Sequence, residues 1–259
     1  MCTLAIYFQA TADYPVVIAA NRDEFLNRPA DNPTTLFISP HIVGGKDLQA
    51  GGTWLGMNEY GLVAGLLNRR AENGANEQAR SRGLLTFDAL KRACAAEATA
   101  FASREQASNY NPFNLLLASR EAAFVAYNRV GAAAIEIVSL HPGLHLLSNL
   151  DVNDLECPKI SASHAKFAAL GESEAFRRDP LSCRKELAAL LADHNTQLDP
   201  RSGRPNALCL HLDNYGTRCS SMIFIGKEPG NVHHFFAPGP PCRTDYAPAI
   251  VPAQSSASK

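Results

Sequence analysis

The opening stretch MCTLAIYF places a cysteine directly after the initiator methionine, and NRDE follows at residues 21–24. If Met1 stays, Cys2 is one more small residue at a chain end. If Met1 is removed, Cys2 carries a thiol and a free α-amine on the same carbon. The thiolate is the nucleophilic form, and a neighbouring cation lowers a thiol's pKa from its free value of about 8.5. An α-amine titrates near about 8 and can serve as the base, so no histidine is required. An adjacent acid would orient the ammonium or take its proton onward.

Hairpin geometry brings these groups together. Residues 2–9 and 15–21 read as strands rich in β-branched and aromatic residues, joined by the polar ATADYP. A turn centred near Ala12 sets Cys2 alongside Arg22, with Asn21, Asp23 and Glu24 around it. Neighbours on a regular strand face opposite sides, so only one of Arg22 and Asp23 can face Cys2. The plainer reading of NRDE is a surface cluster of charges at a strand end.

Three more polar residues lie at the edges of apolar strands. Asn68 closes GGTWLGMNEYGLVAGLLN, Asn149 closes GLHLLSN, and Arg218 lies in YGTRCSS just ahead of the last hairpin. Amide donors at strand ends suit an oxyanion hole, and an arginine there suits a substrate carboxylate or the charge of a nucleophile. Taken singly, each also suits a turn or edge position with its hydrogen bonds satisfied.

The apolar pattern sets out the elements that would position these residues. GGTWLGM and LVAGLLN flank the turn NEYG and form a second hairpin. From Ser81 to about Ser103, Leu84, Leu85, Phe87, Leu90 and Cys94 follow helical spacing. FNLLLAS, AAFVAYN, AAIEIVSL and GLHLLSN read as four short strands. The helical stretches KISASHAKFAALGE and SCRKELAALLADHN follow, the second with Ser182 as its N-cap. SMIFIG, KEPG and NVHHFFA form a last hairpin. The Pro/Ala/Ser-rich end reads as an unfolded tail, which leaves one domain over residues 1–245 and a tail over 246–259. Segregated runs of strands and helices indicate antiparallel sheets with helices packed outside them, an α+β layered architecture.

Composition narrows the function classes. Hydrophobic residues make up 46%, charged residues 19%, and the net charge is −1, as in an ordinary soluble globular protein. There is no basic footprint for nucleic acid, no apolar run of about 18 residues for a membrane span, and no secretory signal. Seven cysteines form no C-x-x-C pair and no Cys/His metal spacing, so no metal site is expected. Their odd number and irregular scatter suit free thiols in the cytoplasm. His233 and His234 are adjacent, so on a strand their rings face opposite sides, and all eight histidines are expected to be ordinary surface or core residues.

The stretches MCTLAIYF, AANRDEFLNRP, GGTWLG, LVAGLLN, SRG at 81–83, NPFNLLLA, GLHLLSN and YGTRCSS together resemble the NRDE family, that of the transport and Golgi organisation type 2 proteins. The resemblance runs from the first residue to about Phe236. The same stretches are similar, more distantly, to the cysteine N-terminal-nucleophile hydrolases, the group of bile salt hydrolases and penicillin V acylases. That similarity implies a four-layer αββα sandwich of two antiparallel sheets. It also implies removal of Met1, with Cys2 as nucleophile and its own amine as general base. Asn68 and Asn149 would be the polarising amides, and Arg218 the arginine that steadies the nucleophile.

Those hydrolases carry R-N-x-D after the second strand, where this chain has Asn21, Arg22, Asp23 and Glu24. Arg22 and Asp23 are assigned to the catalytic set. If Phe25 stands for the Trp that follows the hydrolase motif, Asn21 and Glu24 take the places of the Arg and Asp. Asn21, Glu24 and Trp54 are then expected at the substrate. The activity implied is a cysteine amidohydrolase acting on a non-peptide amide of a small-molecule substrate, with no cofactor. The alternative implied by the NRDE resemblance is a non-catalytic carrier of haem, lipid or acyl-CoA, with Trp54, Tyr60 and Phe25 as lining.

Overall fold

Strands β1 (Thr3–Phe8) and β2 (Val16–Phe25) form the first hairpin, with Thr3 opposite Asn21 and Phe8 opposite Val16. This is the register of a turn centred at Ala12. Both strands are apolar on both sides: Leu4, Ile6 and Phe8 enter one core, Ala5 and Tyr7 another. A strand buried on two faces has to lie between layers. The computed structural model, which describes residues 2–69, 74–195, 197–198, 203 and 205–253, shows those layers.

One sheet is seven-stranded and antiparallel, in chain order: β3 (Ala30–Ile38), β4 (His41–Asp47), β5 (Leu55–Asn58), β6 (Val63–Asn68), β7 (Phe113–Ala118), β8 (Ala123–Asn128) and β9 (Glu136–Ser139). In the other, β1 and β2 are joined by β10 (Gly143–Leu147), β11 (Tyr215–Ile225), β12 (Val232–Ala237) and β13 (Ala247–Pro248), in the order β10-β1-β2-β11-β12-β13. The two sheets meet through Ile6, Ile18, Met57, Val63, Leu116 and Ile223. Helices α1 (Arg82–Ala89) and α2 (Ala95–Ala102) cover the seven-stranded sheet, with Leu85 and Ala98 packed in one cluster with Ala64, Leu115 and Leu117. Helices α3 (Pro158–Glu172), α4 (Glu174–Arg178) and α5 (Arg184–Leu191) cover the six-stranded sheet, where Phe167, Phe176 and Leu187 meet Tyr7, Val17 and Phe224. The result is the four-layer αββα sandwich of the α+β class. Among the described residues, no helix is long and apolar enough to cross a membrane.

Local chemistry explains where elements differ from their sequence pattern. The helix expected from Ser81 to Ser103 is two helices, because Glu97 Oε2 accepts from the Ala93 amide and starts α2 afresh. Ser182 is no N-cap: the Asp179 side chain accepts from Leu181 N and opens a 3₁₀ turn over Pro180–Cys183 that contains it. The edge strand β3 is half-exposed and its pairing with β4 shifts register twice, so it has no regular alternation to read from sequence.

The tail expected to be unfolded from Tyr246 onward instead lies along the sheet as far as Ala253. β13 pairs with β12, Ala249 N donates to the His234 carbonyl, and Ala253 N donates to His41 Nδ1. Backbone hydrogen bonds to an open sheet edge need no side-chain pattern, so composition did not show them. Residues 254–259 of that expected tail lie outside the described residues.

His234 is 5% exposed, with Ser221 Oγ on one side and the Ile250 carbonyl on the other. Burial pushes its pKa down to about 4, against about 6.5 for a free histidine. Between those values the unfolded chain binds a proton that the folded chain does not, so stability rises with pH across the window and is lost as pH falls through it. The full effect is on the order of 3 kcal/mol. Urea midpoints at pH 7 and pH 4.5 are expected to differ more for the natural chain than for His234→Gln.

Candidate active site

Alternation along β2 sorts the NRDE residues onto two faces. Ala20 belongs to the core between the sheets and Ala19 to the core under the helices. Arg22 therefore points between the sheets, and Asn21 and Asp23 point toward the helix layer. Extending the β1–β2 register by one residue puts Cys2 across from Arg22. The Cys2 thiol donates to the backbone carbonyl of Asp23 at 3.6 Å.

The Asp23 carboxylate is engaged on the helix side. Its Oδ2 accepts from Lys159 Nζ at 2.8 Å, and its Oδ1 accepts from Thr217 Oγ1 at 2.6 Å. Side-chain exposure is 2% for Lys159 and 0% for Asp23, so this is a fully buried ion pair. Asn21, expected at the substrate, is 1% exposed and bonded elsewhere. Its Nδ2 donates to the carbonyls of Leu191 and Leu208, and its Oδ1 accepts from Ser220 Oγ. These two residues hold the strand end in place rather than facing the cleft.

Between the sheets, Cys2, Arg22, Glu24, Trp54, Asn68 and Arg82 line one cleft of about 760 Å³. The Arg22 guanidinium lies over the Trp54 ring at 4.1 Å, with Nη2 3.4 Å from Asp47 Oδ2. Arg28 reaches the same carboxylate at 2.8 Å and Glu24 at 3.9 Å. Burial pushes the Asp47 pKa up, but the Arg28 hydrogen bond, the Ala50 amide and the two arginine charges outweigh it and hold the carboxyl below its ordinary value. Arg22 is thus shared between an aromatic face and a carboxylate.

A neighbouring cation was expected to depress the Cys2 pKa. The structure reverses this: burial, the leading cause, raises it, and with the charges of Asp23 and Glu24 it outweighs the positive charge of the terminal amine and the hydrogen bond to the Asp23 backbone, which lower it. The thiol form is favoured, and forming a thiolate here needs a base. Cys219, opposite Arg22 on β11, is buried and pushed up to about 12, so it stays a protonated neighbour.

The other predicted residues separate. Asn68, at the exposed end of β6, reaches the cleft. Asn149 Oδ1 instead accepts from Ser148 Oγ and Cys157 Sγ at the start of α3. Its neighbour Ser148 donates to the Cys2 carbonyl at 3.1 Å and so holds the Cys2 backbone. Arg218 lies where the β2–β11 register shifts, between Thr217 and Cys219, and donates to the Leu26 carbonyl at 2.7 Å. A β-bulge re-aims the side chains it carries, and Arg218 is directed to the Leu26 carbonyl beyond the end of β2.

Arg82, Arg28 and Asp47 were given no role from sequence. Arg82 is held by the Pro112 carbonyl and sits where Glu24, Arg28 and Cys2 all bear on its charge. Its place is set by a glycine contact: Gly52 has φ +74°, and a Cβ there would lie 2.1 Å from the Gly83 backbone. Thr53 N donates to the Gly83 carbonyl across the same contact. The glycines of GGTWLG and SRG are thus one another's reason, a signal that the separate motifs did not show. Among the described residues, the one group of side chains close enough to hold a metal lies apart from the Cys2 cleft, at His194, Cys209, His211 and Cys242.

The four-layer αββα sandwich is the fold shared with solved acylases and amidases of the N-terminal-nucleophile hydrolase fold. Solved structures agree on the fold. The chain superposes on penicillin V acylase from Agrobacterium tumefaciens with a TM-score of 0.56 at 14% identity, covering 92% of this chain and 83% of that one. It superposes on the Caenorhabditis elegans ortholog of N-acylethanolamine-hydrolyzing acid amidase with a TM-score of 0.54 at 14% identity, covering 86% and 92%. In sequence, the chain is 32% identical to the bovine (Bos taurus) transport and Golgi organization protein 2 homolog over 238 residues, 83% of each chain. The family model for transport and Golgi organisation 2 matches residues 1–236, and the chain belongs to that family.

Two outcomes follow from this geometry. Replacing Lys159 with Met removes the cation opposite a buried carboxylate and is expected to cost about 3–5 kcal/mol, whereas Asp23→Leu with Lys159→Met together should be close to neutral; urea unfolding of both variants measures this. In chain that keeps Met1, alkylation of Cys2 by iodoacetamide should reach its half-maximal rate at a higher pH than a free cysteine peptide. Glu24→Gln should shift that midpoint down, read by peptide mass spectrometry.

Proposed function

We propose that the chain is a cysteine amidohydrolase of the N-terminal-nucleophile type, cleaving a non-peptide C–N bond once Met1 has been removed. The observation that carries the reading is Cys2 at the head of β1, opening into a cleft it shares with Arg22, Asn68 and Arg82. A cysteine whose thiol is held protonated by its surroundings needs a base close at hand. The α-amine freed on Cys2 itself would be that base.

In the proposed reaction the amine takes the thiol proton as sulfur attacks the amide carbon. Asn68 donates to the oxyanion that forms. The C–N bond then breaks, the leaving amine carries off the proton, and a Cys2 thioester remains. Water, deprotonated by the same amine, attacks the thioester, releases the acid and restores the thiol. Arg22, steadied by Trp54 and Asp47, keeps positive charge at the cleft wall, and with Arg82 it suits an acyl or amine portion bearing an anionic group. The carrier alternative, for haem, lipid or acyl-CoA, would use the same cationic wall through haem propionates or acyl-CoA phosphates, so it is the placement of Cys2 in the cleft that favours the hydrolase reading. Locating the chain in the cytoplasm rests on its free thiols.

The test pairs intact-mass measurement with hydrolysis of a panel of acyl amides. The expected result is a mass lacking Met1, with Cys2→Ala and Cys2→Ser folded and at least about 1,000-fold slower than the natural chain. Hydrolysis by chain that retains Met1, or undiminished in Cys2→Ala, would sink the proposal. Inactivity alongside a Soret shift on haem titration would favour the carrier.

A further inference from the structure

Three separate segments converge behind β2. His194 follows α5, Cys209 and His211 lead into β11, and Cys242 lies in the connection between β12 and β13. One ligand atom from each lies within 4.8 Å of all the others. Cys209 Sγ is 3.6 Å from Cys242 Sγ and 3.7 Å from His211 Nε2, and His211 Nε2 is 3.2 Å from Cys242 Sγ. A tetrahedral zinc ion with Zn–S near 2.3 Å and Zn–N near 2.0–2.1 Å has edges of about 3.8 Å between sulfurs, about 3.5 Å between sulfur and nitrogen, and about 3.3 Å between nitrogens. The three measured edges agree with these to within a few tenths of an ångström. A disulfide has its sulfurs about 2.05 Å apart, and both cysteines are free.

From this geometry we infer that His194, Cys209, His211 and Cys242 form a structural Cys₂His₂ zinc site, separate from the Cys2 cleft. His194 already has the outer partner that such sites use, with Nδ1 3.0 Å from the Cys209 carbonyl. When Nδ1 holds the proton it donates there, and Nε2 is left for the metal. Four protein ligands close the coordination shell, so the ion holds structure and leaves no position for water or substrate. Binding proceeds with release of two protons to solvent, one from each thiol, and the Zn²⁺ charge is balanced by two thiolates.

The site bears on the NRDE strand. Leu210, between two ligands, donates from N to Thr217 Oγ1, and Thr217 donates to Asp23 Oδ1. Asn21 Nδ2 bonds the carbonyls of Leu191 and Leu208, just before His194 and Cys209. A zinc clamp would therefore brace the end of β2 from the side opposite the cleft.

The experiment uses full-length chain, reduced, stripped with chelator and desalted, then titrated with Co²⁺ and afterwards Zn²⁺. The expected result is equimolar Co²⁺ with thiolate charge-transfer and tetrahedral d–d absorption, both removed by Zn²⁺. His194→Gln, at an exposed position, should keep its circular dichroism and bind at least about 100-fold more weakly, since even second-shell changes cost 10–100-fold. Zinc at about 1,000-fold over its Kd should raise Tm by on the order of 10 °C. Absence of thiolate–cobalt absorption in the reduced chain overturns the site, as does an unchanged titration in Cys209→Ser with Cys242→Ser. The readout involves neither Cys2 nor hydrolysis, so its failure and that of the hydrolase reading are separate.

Discussion

The arrangement at Cys2 depends on the register of β1 against β2. With Thr3 opposite Asn21, Cys2 falls across from Arg22, and alternation then divides the next residues between two environments. A slip of one residue would exchange every side chain on β2 between the inter-sheet core and the helix layer. Apolar residues on both faces of both strands make that slip costly, because each face has its own packed partners. The core thus specifies the geometry of the site before any functional residue is considered.

From that register come two kinds of charged residue on adjacent positions. Arg22 and Glu24 meet the open cleft with Arg28 and Asp47, where solvent moderates their interaction. Asp23 enters the dry layer under α3, and a carboxylate there requires a cation and a donor, supplied by Lys159 and Thr217. The ion pair ties helix to sheet and keeps the Asp23 carbonyl where the Cys2 thiol can donate to it. An R-N-x-D spacing and this NRDE spacing differ in the residues they send to each face. On one fold, the same strand end can therefore present a different set of side chains to the cleft.

Much of this was legible in the residues. Polar turns and segregated runs of strands and helices indicated antiparallel sheets with helices outside them, and the family resemblance implied the four-layer sandwich. The count from Cys2 to Arg22 about Ala12 indicated the hairpin that positions the site. What escaped was non-local. The expected thiolate stabilisation failed because burial of the Cys2 thiol, with the charges of Asp23 and Glu24, raises its pKa, while Arg22 is engaged by Trp54 and Asp47. Asn149 follows β10 and Arg218 lies within β11 at its register shift, and they are bonded to Cys157 and to the Leu26 carbonyl. The tail beyond Tyr246 is ordered through backbone bonds that composition does not encode.

The chain by itself determined its class of fold, its first hairpin and the position of its cysteine, since these follow from local periodicity and the pairing of neighbouring segments. Only the tertiary structure decided which of the four NRDE side chains meets Cys2, that Gly52 and Gly83 set α1 against the cleft, and that His194, Cys209, His211 and Cys242 converge. Each of those depends on segments far apart in sequence, and their distances are set by how sheets and helices stack. Spacing along one strand carries no information about such contacts.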